Sequence, residues 1–285
     1  MAGTNRFDQP RLPSPPGTNG MSINSDSVPS LPGIEIATTS IRGSDTPNLW
    51  IRMPLAVSSD VENLGVPLRP MGVVSGRVRF EADPEKKAPS RQFASVTLDP
   101  APGVPGLGMP RATITADSGD EFSIGGVAPA SYFVRFGGSG WMIKSVTLGG
   151  RDYTFSALDA VSSPAISGVE VVVTNASPTL SGVVTSADGA TKAGAIVLLF
   201  PVDRTRWVSY GLRPSQFLTV VTGTNGAYQT SALPAGEYYA VAVTGPIDDW
   251  MRPEVLDAAS RGAARVTLAW GQSAASDLRV TEIRR

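Results

Sequence analysis

The sequence predicts an all-β chain: two β-sandwiches in tandem, about seven strands each, with one short helix near residues 253–261. Three observations carry this. Short runs rich in Val, Ile, Thr, Tyr and Phe alternate with clusters of Gly, Pro, Asn and Asp, and 30 Gly and 24 Pro in 285 residues supply many turns. Helical periodicity is scarce. An internal repeat recurs at an offset of 106 residues, and each copy holds enough short strands for a two-sheet sandwich.

The repeat rests on three separate pairs. Val74-Ser-Gly-Arg-Val78 recurs as Leu180-Ser-Gly-Val-Val184, Phe122 as Tyr228, and Val127-Ala-Pro-Ala-Ser-Tyr132 as Leu233-Pro-Ala-Gly-Glu-Tyr238. One offset for all three sets unit one at residues 71–176 and unit two at 177–285. Thr174 to Thr179 then forms a short linker stiffened by Pro178.

Residues 1–33 are dominated by Pro, Ser, Gly and Asn and cannot bury enough surface to offset ordering entropy, so they read as a disordered tail. A Pro-rich recognition segment is the alternative. Residues 34–70 read as the closing strands of an incomplete preceding unit, which would make the chain part of a longer array. Equally, they could add strands to unit one.

Within the units, Ser167–Thr174 and Glu237–Val243 have strand composition. Ala195–Phe200 is a continuous apolar run of strand length, expected where both faces of a strand are covered. Phe217–Thr222 leads to the turn dipeptide Asn225-Gly226, after which Ala227–Gln229 is expected to return as the second strand of a hairpin. Pro253 suits a first helical turn, Glu254 the positive end of the helix dipole and Gly262 the exit. Tyr132 and Tyr238 each follow a tight turn. Their rings are expected to pack inward while the hydroxyls return to backbone at the corner.

Composition excludes much chemistry. The chain has no His and no Cys, which removes imidazole and thiolate mechanisms, His- or Cys-ligated metals and disulfides. With 24 Lys+Arg against 25 Asp+Glu and 17% charged residues, no field of either sign favours nucleic acid. Lys144 and Ser145 are adjacent and face opposite sides of a strand, so they make no nucleophile–base pair. Asp248-Asp249 and Asp120-Glu121 are the carboxylate pairs to weigh for glycoside hydrolysis, and both sit in turn-like contexts. Asp117–Glu121 offers several oxygens without the alternate spacing of an EF-hand loop, so no metal or cofactor is expected. For carbohydrate, the candidates are flat aromatics in loop-like stretches: Trp207 and Tyr210 after a core strand, and Trp250 beside the helix. Against this stands the reading that these rings, with Trp141 and Trp270, close the sandwich ends as small cores. Arg204 and Arg206 could stack on Trp207.

The segment LSGVVTSADGATKAGAIVLLF, followed by TVVTGTNGAYQTSALPAGEYYAVAV, resembles the carboxypeptidase regulatory-like domain. The likeness runs through Ser181, Gly182, Gly194, Ala195, Asn225, Gly226, Tyr228, Leu233, Pro234, Gly236 and Tyr238. Unit one shares Ser75, Gly76, Gly119, Phe122, Val127 and Tyr132. It departs at Ala128-Pro129-Ala130 and in a longer insert at 103–110. The resemblance implies a transthyretin-like Greek-key sandwich of seven strands, a non-catalytic accessory role, and occurrence in secreted or envelope proteins, often in tandem. Its motifs specify a sandwich and say little of function. The resulting expectation is a non-enzymatic protein that spaces or anchors parts of an extracellular or cell-envelope assembly, with a protein or glycan partner. The alternative is a carbohydrate-binding module. The N-terminal residues lack a secretory pattern, so the chain is expected either to be cytoplasmic or to be a piece whose export signal lies upstream. No run approaches the ~20 apolar residues of a membrane helix, so no membrane insertion is expected.

Overall fold

The computed structural model describes residues 49–51, 65, 67–102, 107–115 and 119–283. The chain divides into two compact units, Met1–Pro70 and Met71–Arg285. In the first, β1 (Leu49–Trp50) pairs antiparallel with β2 (Arg69–Pro70). The tail at 1–33 and the other residues assigned to an incomplete unit lie outside the described residues, apart from Ile51, Gly65, Pro67 and Leu68.

The second unit begins with β3 (Gly72–Glu81), β4 (Ser95–Pro100), β5 (Arg111–Thr113), β6 (Glu121–Val127) and β7 (Ser131–Gly137). It continues through β8 (Met142–Leu148), β9 (Arg151–Asp152), β10 (Leu158–Asp159) and β11 (Ala165–Thr174). These strands form two sheets, ordered β10-β7-β4-β5 and β6-β3-β11-β8-β9. The chain passes between the layers repeatedly, in the Greek-key manner, and returns so that β11 lies parallel to β3. Val74 and Val78 of β3, Val96 and Leu98 of β4, and Val171 and Val173 of β11 alternate inward and are fully buried between the layers.

The remaining strands repeat the plan: β12 (Thr179–Thr185), β13 (Ile196–Pro201), β14 (Leu218–Val221), β15 (Ala227–Thr230), β16 (Gly236–Val243), β17 (Ala264–Leu268), β18 (Ser273–Ala275) and β19 (Leu278–Arg279). One sheet runs β15-β12-β18, with β19 also on β12, and the other runs β14-β13-β16-β17. The first sandwich carries the β8–β9 pair beside β11. In the second, the helix α1 (Pro253–Ser260) lies between β16 and β17 in the chain. Pro253 opens α1, and Val255, Leu256 and Ala259 form its buried face.

The apolar run Ala195–Phe200 is covered on both faces, as its composition implies. Val197 and Leu199 point between the layers. Leu198 and Phe200 point to a second cluster closed by Leu256 and Ala259 of α1 and by Trp207. Asn225-Gly226 turns as expected, with Gly226 at φ 76° and Asn225 Oδ1 accepting from Ala227 N at 3.1 Å. It does not close a hairpin. β14 pairs with β13 and β15 with β12, so the turn carries the chain from one layer to the other. The reason is burial: Tyr228 places its ring in the core between the layers, beside Leu180 and Val184 of β12.

The recurrent Ser-Gly has a structural cause. β11 shifts register between Ile166 and Val169, and the Val169 carbonyl then occupies the space a Cβ on Gly76 would fill. In the second sandwich β18 and β19 are separated at the equivalent place, and the Ser276 carbonyl occupies the same space over Gly182. The corner tyrosines also match. Tyr132 donates to Ala128 O and Tyr238 to Pro234 O, each at 2.9 Å, with both side chains buried. Burial pushes both phenols up to about 12.

Candidate functional site: the joint between the two sandwiches

In β4, Leu98 points into the first sandwich, so Asp99 must point outward from the sheet β10-β7-β4-β5. An outward Asp is ordinarily wet, yet Asp99 is 0% exposed. What buries it is a loop of the second sandwich. Asp99 Oδ1 accepts from Leu212 N at 2.9 Å, and Oδ2 accepts from Arg213 N at 3.0 Å and from Arg135 Nε at 3.1 Å. Arg135, on the neighbouring strand β7, then donates through Nη2 to Tyr210 O at 2.6 Å. A buried carboxylate with one cation and three donors is compensated, and the loop at 210–213 has its backbone groups satisfied from across the joint.

The loop reaches Asp99 because Gly211 sits at φ 75° with no side chain. A Cβ there would collide with the Asp99 carboxylate and approach Phe133. Phe133, also on the outward face, is 2% exposed and carries the Arg135 guanidinium 4.9 Å from its ring centroid. Burial lowers the Arg135 pKa from its ordinary range, and Asp99 opposes that shift. A second contact crosses the joint where Arg206 stacks over Phe155 at 4.4 Å. The linker is held as well: Asn175 Oδ1 accepts from Asp83 N at 2.5 Å, and Ala176 O accepts from Gly271 N at 2.7 Å.

Beside this contact lies a cleft of 540 Å³ with walls from both sandwiches. Arg111 and Trp141 border it on one side, Arg213 and Ser215 on the other.

The aromatic candidates take different places. Trp207 ends a 3₁₀ turn at Arg204–Trp207. It is 4% exposed, donates Nε1–H to Pro201 O at 2.8 Å and meets Phe200 edge-on at 5.8 Å. Of the two readings of Trp207, the candidate stacking face is corrected and the small core holds: its ring completes the cluster under α1, and Arg204 covers it at 5.1 Å. Arg206 stacks on Phe155 instead. Tyr210 and Trp250 are half-buried on Phe217, with ring centroids 4.9 and 6.0 Å from it. Of the carboxylates, Asp120 pairs with Arg91 at 3.3 Å and Glu121 with Arg77 at 3.0 Å. Asp117 lies outside the described residues. Asp248 and Asp249 sit in the turn before α1, where Asp249 has φ 50°. Among the described residues, no three carboxylates gather where a metal could be held, and no helix is long and apolar enough to cross a membrane.

Asp99 and Arg135 were not singled out by sequence. Asp99-Pro100 at a strand end reads as a turn, and an outward Arg on a strand reads as solvated. The available signal was the Gly in Trp207-Val-Ser-Tyr-Gly-Leu212, a positive-φ residue inside a loop with several apolar side chains.

No protein-family model matches the chain, and no curated protein matches it significantly. Solved structures similar to it include the minor pilin of Streptococcus agalactiae, at 11% identity over 73% of this chain and 94% of that one, TM-score 0.31. The shaft pilin of Lactobacillus rhamnosus, in a mutant form, is similar at 11% identity over 75% and 99%, TM-score 0.26. A candidate carbohydrate-binding protein of Pseudomonas aeruginosa is similar at 17% identity over 36% and 88%, TM-score 0.24. Scores this low carry no argument about function.

Proposed function

We propose that this is a non-catalytic structural and interaction protein, of the carboxypeptidase regulatory-like type, whose tandem sandwiches hold partners at a set spacing in an extracellular or cell-envelope assembly. The observation that carries the reading is the burial of Asp99. The chain places a carboxylate on the outward face of one sandwich and satisfies it with two backbone N–H groups of the other. Such an arrangement has use where relative orientation matters. The absence of His and Cys and the capture of Asp120 and Glu121 by arginines support a role without chemistry. Partner surfaces on this reading are the sheet edges, such as β14 with Val221 64% exposed, and the end loops.

The test is orientation in solution. Residual dipolar couplings from both sandwiches of the wild-type chain are expected to fit one alignment tensor, and labelling of intact cells is expected to reach the chain from outside. Independent tumbling of the wild-type sandwiches would refute the spacer. So would a hydrolase activity lost on changing a single Asp.

A further inference from the structure

The cleft at the joint has a chemistry the spacer reading does not use. Arg111, Arg135 and Arg213 border its 540 Å³, and no Asp or Glu does. Arg135 is neutralised by Asp99. Among the described residues the guanidinium groups of Arg111 and Arg213 have no ion-pair partner, and both residues are exposed. Two uncompensated guanidinium groups on one cleft favour a carboxylate, which arginine takes with paired donors.

The rest of the wall is rich in hydroxyls. Ser95, Thr97 and Ser215 border the cleft, and their side chains make no hydrogen bond among the described residues. Trp141, also on the wall, is 8% exposed, and its indole N–H is the one buried side-chain polar atom among the described residues with no partner. That nitrogen is itself closed off from the cleft, so the indole is a reporter in the wall and not a group that meets the ligand. The volume falls within the roughly 300–1,000 Å³ of small-ligand sites, and junctions between domains are where such sites concentrate.

We propose that this cleft binds a carboxylated saccharide, a short run of uronic-acid units, with Arg111 and Arg213 taking its carboxylates and Ser95, Thr97 and Ser215 meeting its hydroxyls. Unpaired hydroxyls that both donate and accept match a polyol better than an acidic peptide, whose carboxylates are separated by amides. The walls come from both sandwiches, so a ligand here would also tie them together.

The experiment is calorimetric titration of the full chain with a galacturonic acid trimer at low ionic strength. Parallel titrations use the neutral galactose trimer, triglutamate and inorganic phosphate. The acidic trimer is expected to bind about tenfold or more tightly than any of these. The Arg111→Gln, Arg213→Gln double variant is expected to weaken it by about tenfold or more, since each lost charge-assisted hydrogen bond is a large share of a small ligand's affinity. Both positions are exposed and unpaired, so the variant is expected to unfold at the wild-type temperature. In ¹H–¹⁵N spectra the Trp141 indole peak, assigned by its loss in Trp141→Phe, is expected to shift on titration. No binding by the acidic trimer, equal binding by the neutral trimer, triglutamate or phosphate, or undiminished binding by the double variant would each overturn the assignment.

Discussion

The Asp99 carboxylate occupies the space that a Cβ on Gly211 would fill, although the two residues belong to different sandwiches. The joint therefore depends on an acid in one module and a missing side chain in the other. Gly211→Ala must displace the carboxylate and also hold an L-residue at φ 75°, and is expected to cost about 1–3 kcal/mol. Asp99→Ala leaves Arg135 buried and the Leu212 and Arg213 N–H groups unpaired, and is expected to cost about 3–5 kcal/mol. Urea unfolding gives both numbers, and two alignment tensors in place of one would show that the joint has opened.

Gly76→Ala and Gly182→Ala place a methyl against the carbonyls of Val169 and Ser276. Each is expected to lower stability by about 1–3 kcal/mol through overpacking, with the damage confined to its own sandwich. Hydrogen exchange is the check. Gly76→Ala should deprotect β3 and β11 and leave β12 protected, and Gly182→Ala should do the reverse.

Tyr238→Phe removes the bond to Pro234 O and leaves that carbonyl without its partner, at a cost of about 1–2 kcal/mol; Tyr132→Phe does the same at Ala128 O. A pH signature accompanies this. Burial pushes Tyr132, Tyr228 and Tyr238 from an ordinary value of 10.0 up to about 12. Above pH 10 the unfolded chain releases these protons while the folded chain keeps them, so stability is full below pH 10 and is lost as pH rises toward 12. Urea midpoints measured across that window should fall, and more shallowly in Tyr238→Phe.

Trp207→Ala empties the cluster beneath α1 and is expected to cost about 3–5 kcal/mol. Near-ultraviolet dichroism and thermal unfolding would register the loss. Binding of the acidic trimer to protein that remains folded should be unchanged, because Trp207 does not border the cleft.

Legible in the residues alone were the sandwich class, the 106-residue repeat, the corner tyrosines, the doubly covered strand at Ala195–Phe200 and the helix at 253. Each is a local pattern: an alternation, a turn dipeptide, a proline at a helix start. The sequence misread Asn225-Gly226 because a turn's shape is local, while the sheet its outgoing strand joins depends on where Tyr228 finds a core. It offered Trp207 as a display residue because loop position and burial are independent until α1 packs over the loop. Asp99, Arg135 and the cleft were decided only by the tertiary structure. Their meaning lies in contacts between residues 75 to 114 positions apart, and an outward carboxylate acquires a role only when another module's backbone closes over it.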